Sequence, residues 1–173
     1  MSKLETTHLR TSEKFFSLRF LRRSFTATSE KAANIDKTRT MRQTILDTIG
    51  AANESLIIVG YMLNSEEIVD RIIGLDPRVE VIVHLDERQT KGDRRAMASA
   101  KRLRENGAIV NLHGANFRGS MHAKVIIADD REAIVGSANL TYSGADRNLE
   151  IGLQLRGPSV SILKNAVEYT FEG

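Results

Sequence analysis

The sequence predicts an α/β domain, a layered mixed β-sheet flanked by helices. Three observations predict it. Apolar strand-like runs alternate with amphipathic helical stretches from Thr38 to Leu112, the pattern of a largely parallel sheet in the first half of the domain. Three more strand-like runs crowd between Met121 and Leu155. A length of 173 residues, 41% hydrophobic and 27% charged, suits one compact soluble domain.

The elements follow in order. Residues 1–35 read as an N-terminal extension distinct from a domain spanning 36–173. The extension is basic and phenylalanine-rich, with Phe15, Phe16, Phe20 and Phe25 among Arg19, Arg22 and Arg23. Leu18, Leu21 and Phe25 fall at helical spacing, so a short packing helix is expected there, with a basic amphipathic anchor as the alternative. Met41, Ile45, Ile49 and Ala52 recur every three or four residues and predict a helix. Ser55–Met62 is a buried strand by its β-branched run. Ser65 is placed to cap a helix carrying Ile68, Ile72 and Ile73. Val79–Leu85 is the next strand, Asp93 opens a helix to Asn106, Gly107 ends it, and Ala108–Leu112 is a third strand. Strands over Met121–Ala128 and Glu132–Val135 are joined by the turn Asp129-Asp130-Arg131, which predicts an antiparallel hairpin. Asn148–Leu155 is a further strand. Pro158 starts a last helix with Ile162, Ala166, Val167 and Phe171 inward.

Composition narrows the function classes. There are no cysteines, so disulfides and cysteine-based metal sites are excluded. No run approaches the roughly 20 apolar residues of a membrane helix, and Met1–Arg23 lacks the apolar core of a secretory signal. Cytoplasmic residence is therefore the expectation. The net charge of +3 is a mild bias toward a polyanionic partner.

The chemistry concentrates in Met121–Gly152. His122 and Lys124 stand two apart on a predicted strand, so both face one side. A lysine on an apolar strand calls for a partner, and a bound anion would supply one. Gly136, Ser137 and Asn139 follow the next strand directly, offering a tight exit and small hydrogen-bonding groups. Glu150 is a lone charge in an apolar run, placed to orient a histidine.

Together these residues resemble the HKD motif of the phospholipase D superfamily: His122, Lys124 and Asp129, then Gly136, Ser137 and Asn139, with the downstream acid at Glu150. The resemblance implies a phospholipase D-like fold and a phosphodiesterase. It implies that His122 attacks phosphorus to form a phosphohistidine, while a second His122 protonates the leaving oxygen. Lys124 and Asn139 would hold phosphate oxygens, with Ser137 assisting. Glu150 would bind the far ring nitrogen of a histidine, and Asp129 would be structural. No cofactor and no metal is expected.

The scheme needs two histidines, and only His122 has a lysine two residues on; His8, His84 and His113 do not. A homodimer with a shared site is expected, as in the short single-motif branch of the superfamily. His84 and His113 end predicted strands and either line the cleft or are ordinary, partly exposed histidines.

For the substrate, DNA or RNA is favoured by two features. One is the basic stretch containing Arg94 and Lys101, which either tracks a phosphate backbone or is a solvated helix face. The other is the loop before His122, where Phe117 would stack a base and Arg118 meet a phosphate. A phospholipid or cardiolipin-type hydrolase is the enzymatic alternative, and a non-cleaving nucleic-acid-binding dimer the non-enzymatic one. The sequence leaves open a helicase or restriction partner.

Overall fold

The computed structural model describes residues 16–20, 23–28, 31–36, 40–114, 120–148 and 150–172. Its centre is a mixed sheet of order β3-β2-β1-β9-β8-β7-β4-β5-β6. Strands β4 (Ser55–Gly60), β5 (Glu80–Asp86) and β6 (Ile109–His113) run parallel. Strands β7 (Val125–Ala128), β8 (Glu132–Gly136) and β9 (Ile151–Arg156) extend the sheet antiparallel from β4. Parallel pairing needs crossovers, and helices supply them: α2 (Glu66–Ile73) between β4 and β5, then α3 (Glu87–Gly92) and α4 (Arg94–Glu105) between β5 and β6.

Burial on both faces explains why the central strands read as continuous apolar runs. Leu56 and Ile58 face a core shared with α1 (Met41–Gly50), α2 and α4. Ile57 and Val59 face a second cluster that contains Val160 and Val167 of α5 (Pro158–Glu172). The helix starts carry the polar residues their orphan amides require. Thr40 accepts from the Gln43 N–H at 3.2 Å, Asp86 from Gln89 at 2.9 Å, and Asp93 from Ala96 at 2.8 Å. Gly107, at φ +90°, follows α4 in a conformation that favours glycine.

Several expectations need correction. The N-terminal segment is not a helix: β1 (Phe16–Phe20), β2 (Arg23–Thr28) and β3 (Lys31–Asp36) form an antiparallel meander on the β9 edge. Phe16-Ser17-Leu18-Arg19-Phe20 alternates with period two as well as it suits a helix, and pairing gives the β9 backbone a partner. Leu18 and Phe25, expected on one helix face, are opposed in register across two strands. Leu21 lies outside the described residues. α3 was absent from the sequence reading, because six residues without an apolar stripe give no period to detect. The strand expected from Met121 begins only at Val125. The Met121 N–H is taken by the Asp86 carboxylate at 3.0 Å, and the His122 carbonyl by Lys124 Nζ at 2.7 Å, so side chains replace ladder partners there. The strand expected from Asn148 begins at Ile151, after a π-helix over Ser143–Arg147 that Asn148 closes by donating to Ser143 at 2.9 Å.

Candidate active site

The parallel strands end at Gly60, Asp86 and His113, and the antiparallel strands are so oriented that β7 and β9 begin, and β8 ends, at that same edge. Residues flanking these termini therefore converge although they are scattered in sequence. His122 and Lys124 precede β7, Ser137 and Asn139 follow β8, and Glu150 precedes β9. The approach of β8 to β9 is close: a Cβ on Gly136 would lie 2.6 Å from the Ile151 carbonyl oxygen. Gly136 thus admits the spacing on which Ser137 and Glu150 depend.

Lys124 is 7% exposed and His122 is exposed, with Lys124 Nζ 3.0 Å from His122 Nδ1. Burial pushes the Lys124 ammonium below the usual lysine range, while the charge of Glu150 pulls the other way. Glu150 is buried and accepts hydrogen bonds from Ser137 Oγ and, at 3.3 Å, from Asn148 Nδ2. Ser137 is itself held to Ile151, its Oγ accepting from the Ile151 N–H at 3.1 Å and its N–H donating to the Ile151 carbonyl at 2.9 Å. Asn139 Oδ1 is buried without a hydrogen-bond partner. A buried ammonium, an exposed imidazole and the N–H groups of the Asn139 amide are the donors that this end of the sheet offers to a tetrahedral oxyanion.

The structure separates Asp129 from this group. It lies in the β7–β8 turn at the opposite edge of the sheet, at φ 51°, and its carboxylate accepts the backbone N–H groups of Asn53 (3.1 Å), Glu54 (2.9 Å) and Ser55 (3.0 Å). Burial acts to raise its pKa, but the three amides and the Arg131 guanidinium outweigh it and hold the carboxyl below the ordinary range.

His84 and His113 are neither exposed nor in contact with His122. They share a 2.8 Å Nδ1–Nε2 contact, and the Phe171 ring stacks on His84 with centroids 4.3 Å apart. Burial, then the charge of His113, lowers His84 to about 4, and burial lowers His113. Arg94 and Lys101 are exposed on α4; Lys101 pairs with Glu105 at 3.6 Å, and neither residue contacts His122. Phe117 and Arg118, and with them the expected loop contacts, lie outside the described residues. So does His8.

The sequence reading missed Tyr61, the residue after β4. Its ring centroid is 4.7 Å from that of His122 and 5.2 Å from Lys124 Nζ. Its only sequence signal was an aromatic residue at the exit of an apolar strand. Among the described residues, no group of three or more acidic or imidazole side chains is arranged to hold a metal ion. No described helix is long and apolar enough to cross a membrane.

The family model for the cardiolipin synthase, PLD-like domain matches residues 45–171. The DISARM protein DrmC of Bacillus paralicheniformis is 29% identical over 126 residues, covering 71% of this chain and 52% of that protein. The chain thus spans about half the length of this curated relative. Among solved structures, the phospholipase D family member Nuc from Salmonella typhimurium superposes with TM-score 0.69 at 22% identity, covering 89% of this chain and 91% of Nuc. NucT from Helicobacter pylori gives 0.62 at 22% identity, covering 75% and 85%. At those identities the two structures establish the fold.

Proposed function

This chain belongs to the family of the cardiolipin synthase, PLD-like domain, and on that premise we propose that it is a phosphodiesterase cleaving DNA or RNA through a phosphohistidine at a site shared by two copies. The observation that carries the reading is the convergence of His122, Lys124, Ser137, Asn139 and Glu150 on one sheet edge.

His122 is the nucleophile. For Nε2 to attack phosphorus, Nδ1 must carry the ring proton and donate it to an acceptor. Nδ1 faces Lys124 Nζ, itself a donor. An incoming phosphate draws the ammonium to its non-bridging oxygens, and a Glu150 carboxylate then takes the Nδ1 proton contact. Attack forms the P–N bond as the P–O bond to the leaving group breaks. The leaving oxygen takes its proton from His122 of the second copy. That same imidazole then deprotonates water, which attacks phosphorus, breaks the P–N bond and restores both histidines. Lys124 neutralises the phosphoryl oxygens and the Asn139 amide N–H groups orient them throughout.

Two features support the shared site. His122 is exposed at the sheet edge, and His84 and His113 are occupied with one another, leaving no second described imidazole within the chain to face it. For nucleic acid, the support is the α3–α4 corner at the same edge, where Arg88, Arg94 and Arg95 are exposed and enter no ion pair among the described residues. They are placed to meet phosphates flanking the scissile one. A cytoplasmic setting and a system partner of the kind implied by the DrmC name belong to this same proposal.

One observation favours a second reading. An apolar groove of Val59, Met121, Val125, Ala166, Val167 and Phe171 opens beside His122, as an acyl chain or other apolar substituent of a lipid phosphodiester would require. The discriminating experiment is a substrate panel in excess EDTA: single-stranded DNA, duplex DNA, RNA and cardiolipin vesicles, each with wild type and His122→Ala. Cleavage of nucleic acid by wild type alone is expected. Hydrolysis of cardiolipin alone would establish the lipid reading, and binding of DNA without any hydrolysis would replace both with a non-cleaving module. Activity lost in EDTA and restored by magnesium would overturn the phosphohistidine scheme.

A further inference from the structure

Tyr61 is the first residue after β4, and the register Val59↔Val125 sets the exit of β4 beside the entry of β7. Lys124 immediately precedes Val125. The backbone pairing thus delivers one aromatic ring to the flank of both motif residues. The ring lies at 57° to the His122 imidazole with centroids 4.7 Å apart, within the range of a tilted aromatic pair. Lys124 Nζ stands 5.2 Å from the ring centroid, within cation–π reach.

Three further observations distinguish Tyr61 from ordinary packing. It belongs to neither of the two core clusters. It is half-buried, with one face given to the site. Its hydroxyl makes no hydrogen bond among the described residues, so its contacts here are those of the ring. His122 needs such a support. It is exposed, it precedes the strand and so lacks a ladder, and among the described residues its ring is hydrogen-bonded to the Lys124 ammonium, which must leave it for phosphate.

We infer that Tyr61 is a positioning residue: its ring fixes the His122 imidazole for attack and gives the Lys124 ammonium a resting place beside the phosphate. The inference rests on the phosphohistidine reading for its kinetic consequence, but its structural half stands alone. The ring acts through His122 and Lys124 rather than on phosphate itself. Its loss therefore slows formation of the P–N bond without weakening substrate binding in proportion. Misplacement of a reacting group by a fraction of an ångström to an ångström lowers rates roughly 10- to 100-fold.

The test uses the full chain with Tyr61→Phe and Tyr61→Leu. Thermal unfolding first establishes that each variant folds. Acid-quenched single turnovers on an end-labelled oligonucleotide then measure covalent-intermediate formation, and steady-state runs give kcat and KM. Tyr61→Leu is expected to lower kcat and the single-turnover rate roughly 10- to 100-fold with KM within about threefold, while Tyr61→Phe retains at least half the wild-type rate. In parallel, the His122 ring proton shifts are read by NMR, assigned with His122→Asn. The ring current of a neighbouring aromatic is expected in wild type and Tyr61→Phe and lost in Tyr61→Leu. A folded Tyr61→Leu with wild-type kcat overturns the inference, as does a Tyr61→Phe as slow as Tyr61→Leu, or His122 shifts that do not respond to Tyr61→Leu. If wild type cleaves nothing, the proposed activity fails, and the NMR comparison still decides the placement of the ring.

Discussion

Replacing Asp129 separates structural from chemical roles within the motif. The carboxylate is 4% exposed and accepts three backbone N–H groups from residues 53–55. Those amides belong to a turn whose Asn53 and Glu54 are exposed, so water will re-hydrate part of what is lost. Each bond is therefore taken at about 1–1.3 kcal/mol, giving about 3–4 kcal/mol for Asp129→Ala. Alanine at φ 51° adds about 1 kcal/mol of left-handed strain, for a total of about 4–5 kcal/mol. Asp129→Gly removes the strain and is expected to be about 1 kcal/mol milder; Asp129→Asn keeps one acceptor oxygen and is expected to cost about 1–3 kcal/mol. For a chain of this length the alanine variant should melt roughly 10–15 °C lower. Urea unfolding gives the free energies, with m held constant across the set, and kcat per folded molecule should stay within about threefold of wild type. The pH dependence follows from the depressed carboxyl. The charged, folded form is favoured, so its stabilisation is complete above about pH 3.9 and is lost as pH falls through the lower folded value. Asp129→Asn should flatten that acid limb. Unfolding of Asp129→Ala within about 1 kcal/mol of wild type, or a kcat collapse in a stable Asp129→Asn, would refute the structural assignment.

The remaining predictions concern the site edge and the histidine pair. His122→Asn should abolish turnover while changing stability by less than about 1 kcal/mol, since the residue is exposed; measurable turnover in a folded variant would remove it as nucleophile. Lys124 must be charged to hold phosphate, and burial lowers its pKa against the opposing charge of Glu150. Phosphate affinity should therefore fail as pH rises, and Glu150→Gln should move that failure to lower pH; an unmoved alkaline limb in KM would contradict the coupling. His84, at about 4, and His113, also lowered, are held neutral by burial. Their contribution to stability is complete above about pH 6.5 and is lost as pH falls from there toward about 4. Urea midpoints across that window should drop in wild type and flatten in His84→Gln. Sedimentation should show a dimer at active concentrations, and mixing His122→Asn with wild type should lower activity more steeply than dilution alone. An active monomer would defeat the shared site.

How much of this was legible in the sequence follows from which physical signals are local. The apolar runs within Ser55–Met62 and Val79–Leu85 predict buried strands because burial on both faces demands apolar residues at most positions, and the strands fall at Ser55–Gly60 and Glu80–Asp86. The spacing of His122, Lys124, Gly136, Ser137, Asn139 and Glu150 predicts a single cluster, because the hairpin and return strand carrying them lie within one short stretch of chain. What the sequence could not carry was set by pairing at a distance. Phe16–Phe20 supports helix or strand by local pattern alone, and the free edge of β9 decides for strand. Tyr61 stands 61 residues before His122 on another strand, and only the register of β4 on β7 joins them. His84 and His113 read either as cleft residues or as ordinary, partly exposed histidines, and only the parallel pairing of β5 with β6, closed by Phe171 of α5, turns them on each other. Local composition and spacing singled out the residues to which the chemistry is proposed; strand register, which couples residues far apart in the chain, decided which side chains stand beside them.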